Sequence, residues 1–219
     1  MRVQTEDYLD AITHLPPGGR LTLYEIGWEE YERLLDRLGE GAHRRISYDN
    51  GRLEIMTPSD KHEKYKNLLH DLVLILSDEL DQEVLSYGST TLKLEPKRKG
   101  AEGDDCFYIQ HAMQIGGKDR LDLSSDPPPD LVIEIDLTHD SSSKFAIYAA
   151  LGVPEIWHYD GQEMTIYHLQ EADYVSAETS RALPMLSSRV LTEYLKRMEQ
   201  DGEFNTILAF DEWLQSLPR

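Results

Sequence analysis

Pro129-Asp130-Leu131-Val132-Ile133-Glu134-Ile135-Asp136-Leu137 is an apolar run with acids at three even-numbered positions. Side chains alternate between the two faces of a strand, so Asp130, Val132, Glu134 and Asp136 share one face and Leu131, Ile133, Ile135 and Leu137 the other. An apolar run of this kind is expected deep in a sheet. Carboxylates held there cost several kcal/mol each unless they are paired or bind a metal. A divalent cation is one solution, since a hard ion such as Mg²⁺ takes oxygen ligands and keeps several waters, with one or two carboxylates in its shell. Asp104 and Glu134 are candidates for those two. The alternative reading has Asp130 opening the strand, Asp136 closing it in solvent, and Glu134 paired with a base such as Lys144. Asp104, within Glu102-Gly103-Asp104-Asp105, also reads as an acidic turn residue before a strand.

Working outward, Ser141-Ser142-Ser143 caps a helix over about 144–151, and Gly152-Val153-Pro154 ends it. Strands over 155–159 and 164–169 follow, joined through Asp160-Gly161. Upstream, Trp28, Tyr31, Leu34, Leu35 and Leu38 recur at helical spacing and predict a helix over 28–38. Asn50-Gly51 between 45–48 and 52–56 is a hairpin signal. Ser59 then caps a long helix with Asp60 and Glu63 in its first turn, followed by Tyr65, Leu68, Leu69, Leu72, Ile75 and Leu76. Further strands are expected over 83–94 and 106–109, beside 131–137. A last helix over 188–199 and a segment over 210–217 form a helical rim. The order predicts an α/β fold, a mixed sheet with helices on its faces, in a single domain spanning 1–219 whose core runs from about 45 to 172.

With 219 residues and 40% hydrophobic composition, the chain is long enough for a substantial core. Its lone cysteine, Cys106, forms no internal disulfide and suits a reducing compartment, here expected to be the cytoplasm. No stretch approaches the roughly 20 apolar residues that span a bilayer, and the amino terminus lacks an apolar leader. The net charge of −19 argues against a protein that coats nucleic acid, because affinity for phosphates comes from Lys and Arg. An enzyme stays possible, because a bound divalent ion inverts the local field.

Other polar residues read more simply. His62-Glu63 is followed by Lys64 and Tyr65 and is no zinc-protease motif, so His62 and His70 read as ordinary helix residues. His139, beside Asp140, reads either as a ligand near Glu134 or as a loop histidine in an exposed pair. Lys97-Arg98-Lys99, a compact basic run, reads as a solvated turn or as a phosphate-contacting loop.

The run 129–138, then Lys144 with Tyr148, then Gly152-Val153-Pro154-Glu155-Ile156-Trp157-His158-Tyr159-Asp160, resembles the Uma-type restriction endonuclease family. The resemblance extends upstream through 101–109 and the hairpin leading to Met56-Thr57-Pro58-Ser59, and downstream to Trp213-Leu214. It implies a PD-(D/E)XK restriction-endonuclease-like core, preceded by an N-terminal helix and a β-hairpin. In such cores two acids hold Mg²⁺ or Mn²⁺ while a lysine assists the attacking water on DNA. By position Asp104 matches the first acid, Glu134 the second, Lys144 the lysine, and Glu63 the acid of the first core helix. Gly103 stands where a proline is usual. Asp136 stands where the usual motif has its lysine, so the resemblance implies that the lysine has moved to the next helix, at Lys144. A homodimer is expected if both strands of a duplex are cut. The rival expectation is a binding or assembly module that retains the fold without useful catalysis.

Overall fold

The computed structural model describes residues 5–39, 44–137 and 141–217. In chain order its elements are α1 (Thr5–Thr13), β1 (Arg20–Leu23), α2 (Trp28–Leu38), β2 (Arg45–Asp49), β3 (Arg52–Met56), α3 (Asp60–Glu79), β4 (Leu85–Ser86), β5 (Thr91–Leu94), β6 (Lys99–Glu102), β7 (Asp105–Tyr108), α4 (Ala112–Ile115), β8 (Leu131–Ile135), α5 (Ser142–Leu151), β9 (Glu155–Tyr159), β10 (Met164–Gln170), β11 (Asp173–Ala177), α6 (Ser188–Asp201) and α7 (Glu203–Ser216).

Two sheets form where one was expected. The first is antiparallel, in the order β1-β3-β2-β6-β5, and the second is mixed, in the order β11-β10-β9-β8-β7-β4. Its one parallel pair is β8 with β9, joined by the crossover helix α5. The expected strand over 83–94 is divided: Gly88, at φ +57, turns the chain out of β4 in the second sheet toward β5 in the first. Between β6 and β7 the chain crosses back, and Gly103-Asp104 is that joint.

Each helix sits where its apolar stripe requires. Trp28, Tyr31 and Leu34 of α2 pack with Tyr48, Leu53 and Ile55 of the first sheet, where the Tyr31 and Tyr48 rings stack at 4.8 Å. Tyr65, Leu69, Leu72 and Leu76 of α3 cover Leu131, Ile133 and Ile135, with α6 and α7 sealing the same core. Val132 faces the other way, onto Ile147, Tyr148 and Leu151 of α5. The two faces of β8 thus divide as the alternation predicts. The segment over 210–217 belongs to the longer helix α7. Among the described residues no helix is long and apolar enough to cross a membrane.

Candidate active site at the joint between the sheets

Asp104 lies at the crossing from β6 to β7 and is fully buried. Its backbone N–H donates to the Ile133 carbonyl at 2.9 Å, fastening the joint to β8. Gly103 is required by this closeness, since a Cβ there would lie 2.7 Å from Val132 Cγ1. That contact explains glycine where a proline was expected: a bulkier residue collides with β8. Asp104 Oδ2 accepts from the Ile135 N–H at 2.8 Å and faces His62 Nε2 at 3.0 Å. Oδ1 accepts from Arg45 Nε at 3.1 Å. Burial alone pushes this carboxyl up, but His62, then Lys144 and Arg45, outweigh it and hold it at about 2.

Glu134, in β8, is equally buried. Lys144, near the start of α5, places its Nζ 2.8 Å from Glu134 Oε2 and 3.1 Å from Oε1, and donates to the Glu102 carbonyl at 3.1 Å. One turn on, the Tyr148 hydroxyl donates to Glu134 Oε1. Burial, followed by the charge of Asp104, pushes Glu134 up to about 7 against the pull of Lys144 and Tyr148. Burial pulls Lys144 down, yet Glu134 and Asp104 outweigh it and its net direction is upward. The ammonium therefore stays charged.

Glu63 reaches the site indirectly. It lies in the first turn of α3, is about 30% exposed, and meets Arg45 Nη2 at 3.2 Å, so Arg45 links it to Asp104. Sequence reasoning missed three residues here: Arg45, Glu102 and His62. Glu102 is buried, accepts from the Ile46 N–H at 2.8 Å and the Thr91 hydroxyl at 2.5 Å, and is raised by burial. His62, read from the sequence as an ordinary helix residue, has its ring buried against Asp104. A readable signal existed: His62 continues the buried stripe of Tyr65, Leu69, Leu72 and Leu76 on α3. Its Nδ1 makes no hydrogen bond to the protein, and neither does the Thr57 hydroxyl. Both residues line a cavity of about 10 Å³ with Ser59, Ile135 and Leu137, a space on the scale of one water.

The remaining acids of the strand have structural work. Asp130 accepts from the Ile109 and His111 N–H groups at 2.7 and 3.0 Å, folding the loop after β7 onto β8. Asp136 does not close the strand in solvent: it accepts from the N–H and hydroxyl of Ser141 and sits 2.6 Å from His158 Nε2. Ser141 therefore serves the start of α5 through Asp136 rather than by a side-chain cap of its own. The basic run is used internally: Lys97 bonds the Ala150 carbonyl at the end of α5, and Lys99 pairs with Asp49 at 2.6 Å. His70 pairs with the buried Asp105 at 2.7 Å. His139 and Asp140 lie outside the described residues. A larger open groove of about 730 Å³ beside α6 shares no lining residue with this site.

Can these residues hold a divalent ion? Among the described residues, no group of three or more His, Cys, Asp or Glu is arranged to hold one. A magnesium-like ion needs only one or two carboxylates, the rest being water. Asp104, Glu134 and Glu102 are buried carboxylates near Arg45 and Lys144; burial raises Glu134 and Glu102, and for Glu134 the charge of Asp104 adds to it. Carboxylate oxygens are the donor type a hard cation takes.

A mixed sheet with one parallel crossover, a buried acid in β8, a second at the joint beside it and a lysine from the crossover helix fit one class: a restriction-endonuclease-like α/β protein. Residues 28–196 match the Uma2 family, described as "Putative restriction endonuclease", and the chain belongs to that family. Among solved structures it is similar to a "putative nuclease belonging to DUF820" from Anabaena variabilis, with a TM-score of 0.52 and 17% sequence identity. That likeness covers 78% of this chain and 99% of the other, and it shows a shared fold. No curated protein matches the sequence.

Proposed function

We propose that this chain is a divalent-metal-dependent DNA endonuclease that hydrolyses phosphodiester bonds, with Mg²⁺ or Mn²⁺ held by Asp104 and Glu134. The observation that carries this reading is the Lys144 ammonium 2.8 Å from Glu134, beside a second buried acid. When bound, the ion would polarise the phosphate and lower the pKa of a water. The chain's own residues do the rest. His62 and the Ile135 N–H orient Asp104, Tyr148 and Lys144 orient Glu134, and the ammonium offers positive charge to the phosphate. Glu63 acts from behind, through Arg45. Cutting both strands of a duplex calls for two such sites, which a homodimer would supply.

A second reading, a nuclease-fold module for binding or assembly, is favoured by the enclosure of the site, with Asp104, Glu134 and Lys144 all under 5% exposed. Incubation of purified protein with plasmid, single-stranded and branched DNA, with Mg²⁺ or Mn²⁺, separates the two. Cleavage lost in Asp104→Asn and Glu134→Gln but kept in Asp136→Asn supports the nuclease. No cleavage of any substrate favours the module, and equal loss in all three variants means the ligand set is wrong.

A further inference from the structure

The two oxygens of Asp104 are held differently. Oδ2 receives two N–H donors from packed elements, the Ile135 backbone at 2.8 Å and the His62 ring at 3.0 Å. Oδ1 is held by Arg45 Nε at 3.1 Å, from a long, flexible side chain. The same guanidinium meets Glu63 Oε1 at 3.2 Å and the Arg44 carbonyl at 3.2 Å. Arg45 opens β2, and its side chain is 5% exposed. A buried cation therefore bridges the first acid of the site to an acid at its edge.

We infer that Arg45 is a resident counter-cation that competes with the divalent ion for Asp104 and so sets the metal affinity of the site. Charge and geometry support this together. Arg45 already places a positive charge on Asp104 Oδ1, the oxygen an ion would take. With Arg45 in place a dication adds repulsion, because two cations a few ångströms apart in a poorly screened interior oppose each other strongly. Oδ1 is also the Asp104 oxygen held by a side-chain donor alone, whereas Oδ2 accepts from the backbone N–H of β8. Glu63, partly exposed, keeps hold of the departing guanidinium at the rim. Without metal, Arg45 spares Asp104 the desolvation cost of an unpaired buried charge; with metal, that need lapses.

This inference rests on the metal site proposed above, and the test separates the two. Titration calorimetry of the whole chain with MnCl₂ compares wild type, Arg45→Met and Arg45→Lys. Arg45→Met should bind Mn²⁺ roughly tenfold tighter or more, and Arg45→Lys, which keeps the charge, should stay within about twofold of wild type. If Arg45→Met does not fold without metal, Arg45→Gln, which keeps a polar donor but no charge, should also tighten Mn²⁺ binding roughly tenfold. Binding by wild type with equal or weaker binding by Arg45→Met or Arg45→Gln overturns the inference alone. Tightening in Arg45→Lys equal to that in Arg45→Met also overturns it, since packing and not charge would then be the cause. No Mn²⁺ binding by any of the proteins overturns inference and metal site together.

Discussion

Lys144 and Glu134, ten residues apart on α5 and β8, form a closed ion pair at 2.8 Å with both side chains at or below 5% exposure. Breaking such a pair from one side leaves an uncompensated buried charge, at a cost of about 3–5 kcal/mol. Lys144→Met should therefore destabilise the fold by about that much, less whatever protonation of Glu134 recovers. Adding Glu134→Gln in the same chain should restore part of the loss. Urea melts of the two single variants and the double variant measure this coupling, and additive losses would mean the pair is not energetically joined.

His62 supplies Asp104 with a donor that no neighbour replaces. Truncation to Ala leaves a buried carboxylate short of one charge-assisted bond, for about 1.5–3 kcal/mol. His62→Gln, which can still donate, should recover part of the loss. A chain as stable with Ala as with His would show that the 3.0 Å contact contributes little.

Gly103→Ala tests whether the joint beside Asp104 is closed by contact with β8. The added methyl would meet Val132 Cγ1 at 2.7 Å and the Tyr148 hydroxyl at 3.3 Å. Overpacking of this sort costs about 1–3 kcal/mol. Val132→Ala in the same chain should relieve most of it, and failure to do so would point to another cause.

The pair of His70 and Asp105 gives a pH dependence away from the acid cluster. The hydrogen bond to Asp105 raises His70 above its usual value, outweighing partial burial. The native state then holds the proton more tightly than the unfolded chain. Its stabilisation is full below about pH 6.5, the unfolded value, and is lost as pH rises through the folded value. His70→Gln should flatten that part of the stability curve. A wild type whose melting temperature is insensitive to pH above 6.5 in this comparison would contradict the ion pair.

Local pattern carried much of this fold and only part of the site. The helix over Trp28–Leu38, the hairpin around Asn50-Gly51 and the cap at Ser59 follow from residues within a few positions of one another. Two sheets were not legible, because their separation depends on the joints at Gly88 and Gly103-Asp104, and no periodicity marks a strand changing sheets. Lys99-Gly100-Ala101-Glu102 reads poorly as a strand, yet Gly100 is needed there: a Cβ would meet the Tyr31 hydroxyl at 2.3 Å. Glu134 stood out by alternation, whereas the roles of Lys144 and Asp104 were visible through family resemblance. Arg45 and His62 reach Asp104 across 59 and 42 positions, a distance over which sequence pattern is silent.

Crystals grown with Mn²⁺ and measured at its anomalous edge test the central claim most directly. The account predicts one strong anomalous peak about 2.0–2.2 Å from an oxygen of Asp104 and one of Glu134, the range for a small octahedral dication. Lys144 should remain beside Glu134, and Glu134→Gln should abolish the peak. Wild-type crystals at millimolar Mn²⁺ with no peak between these two acids, and with both still closed on Arg45 and Lys144, would contradict it.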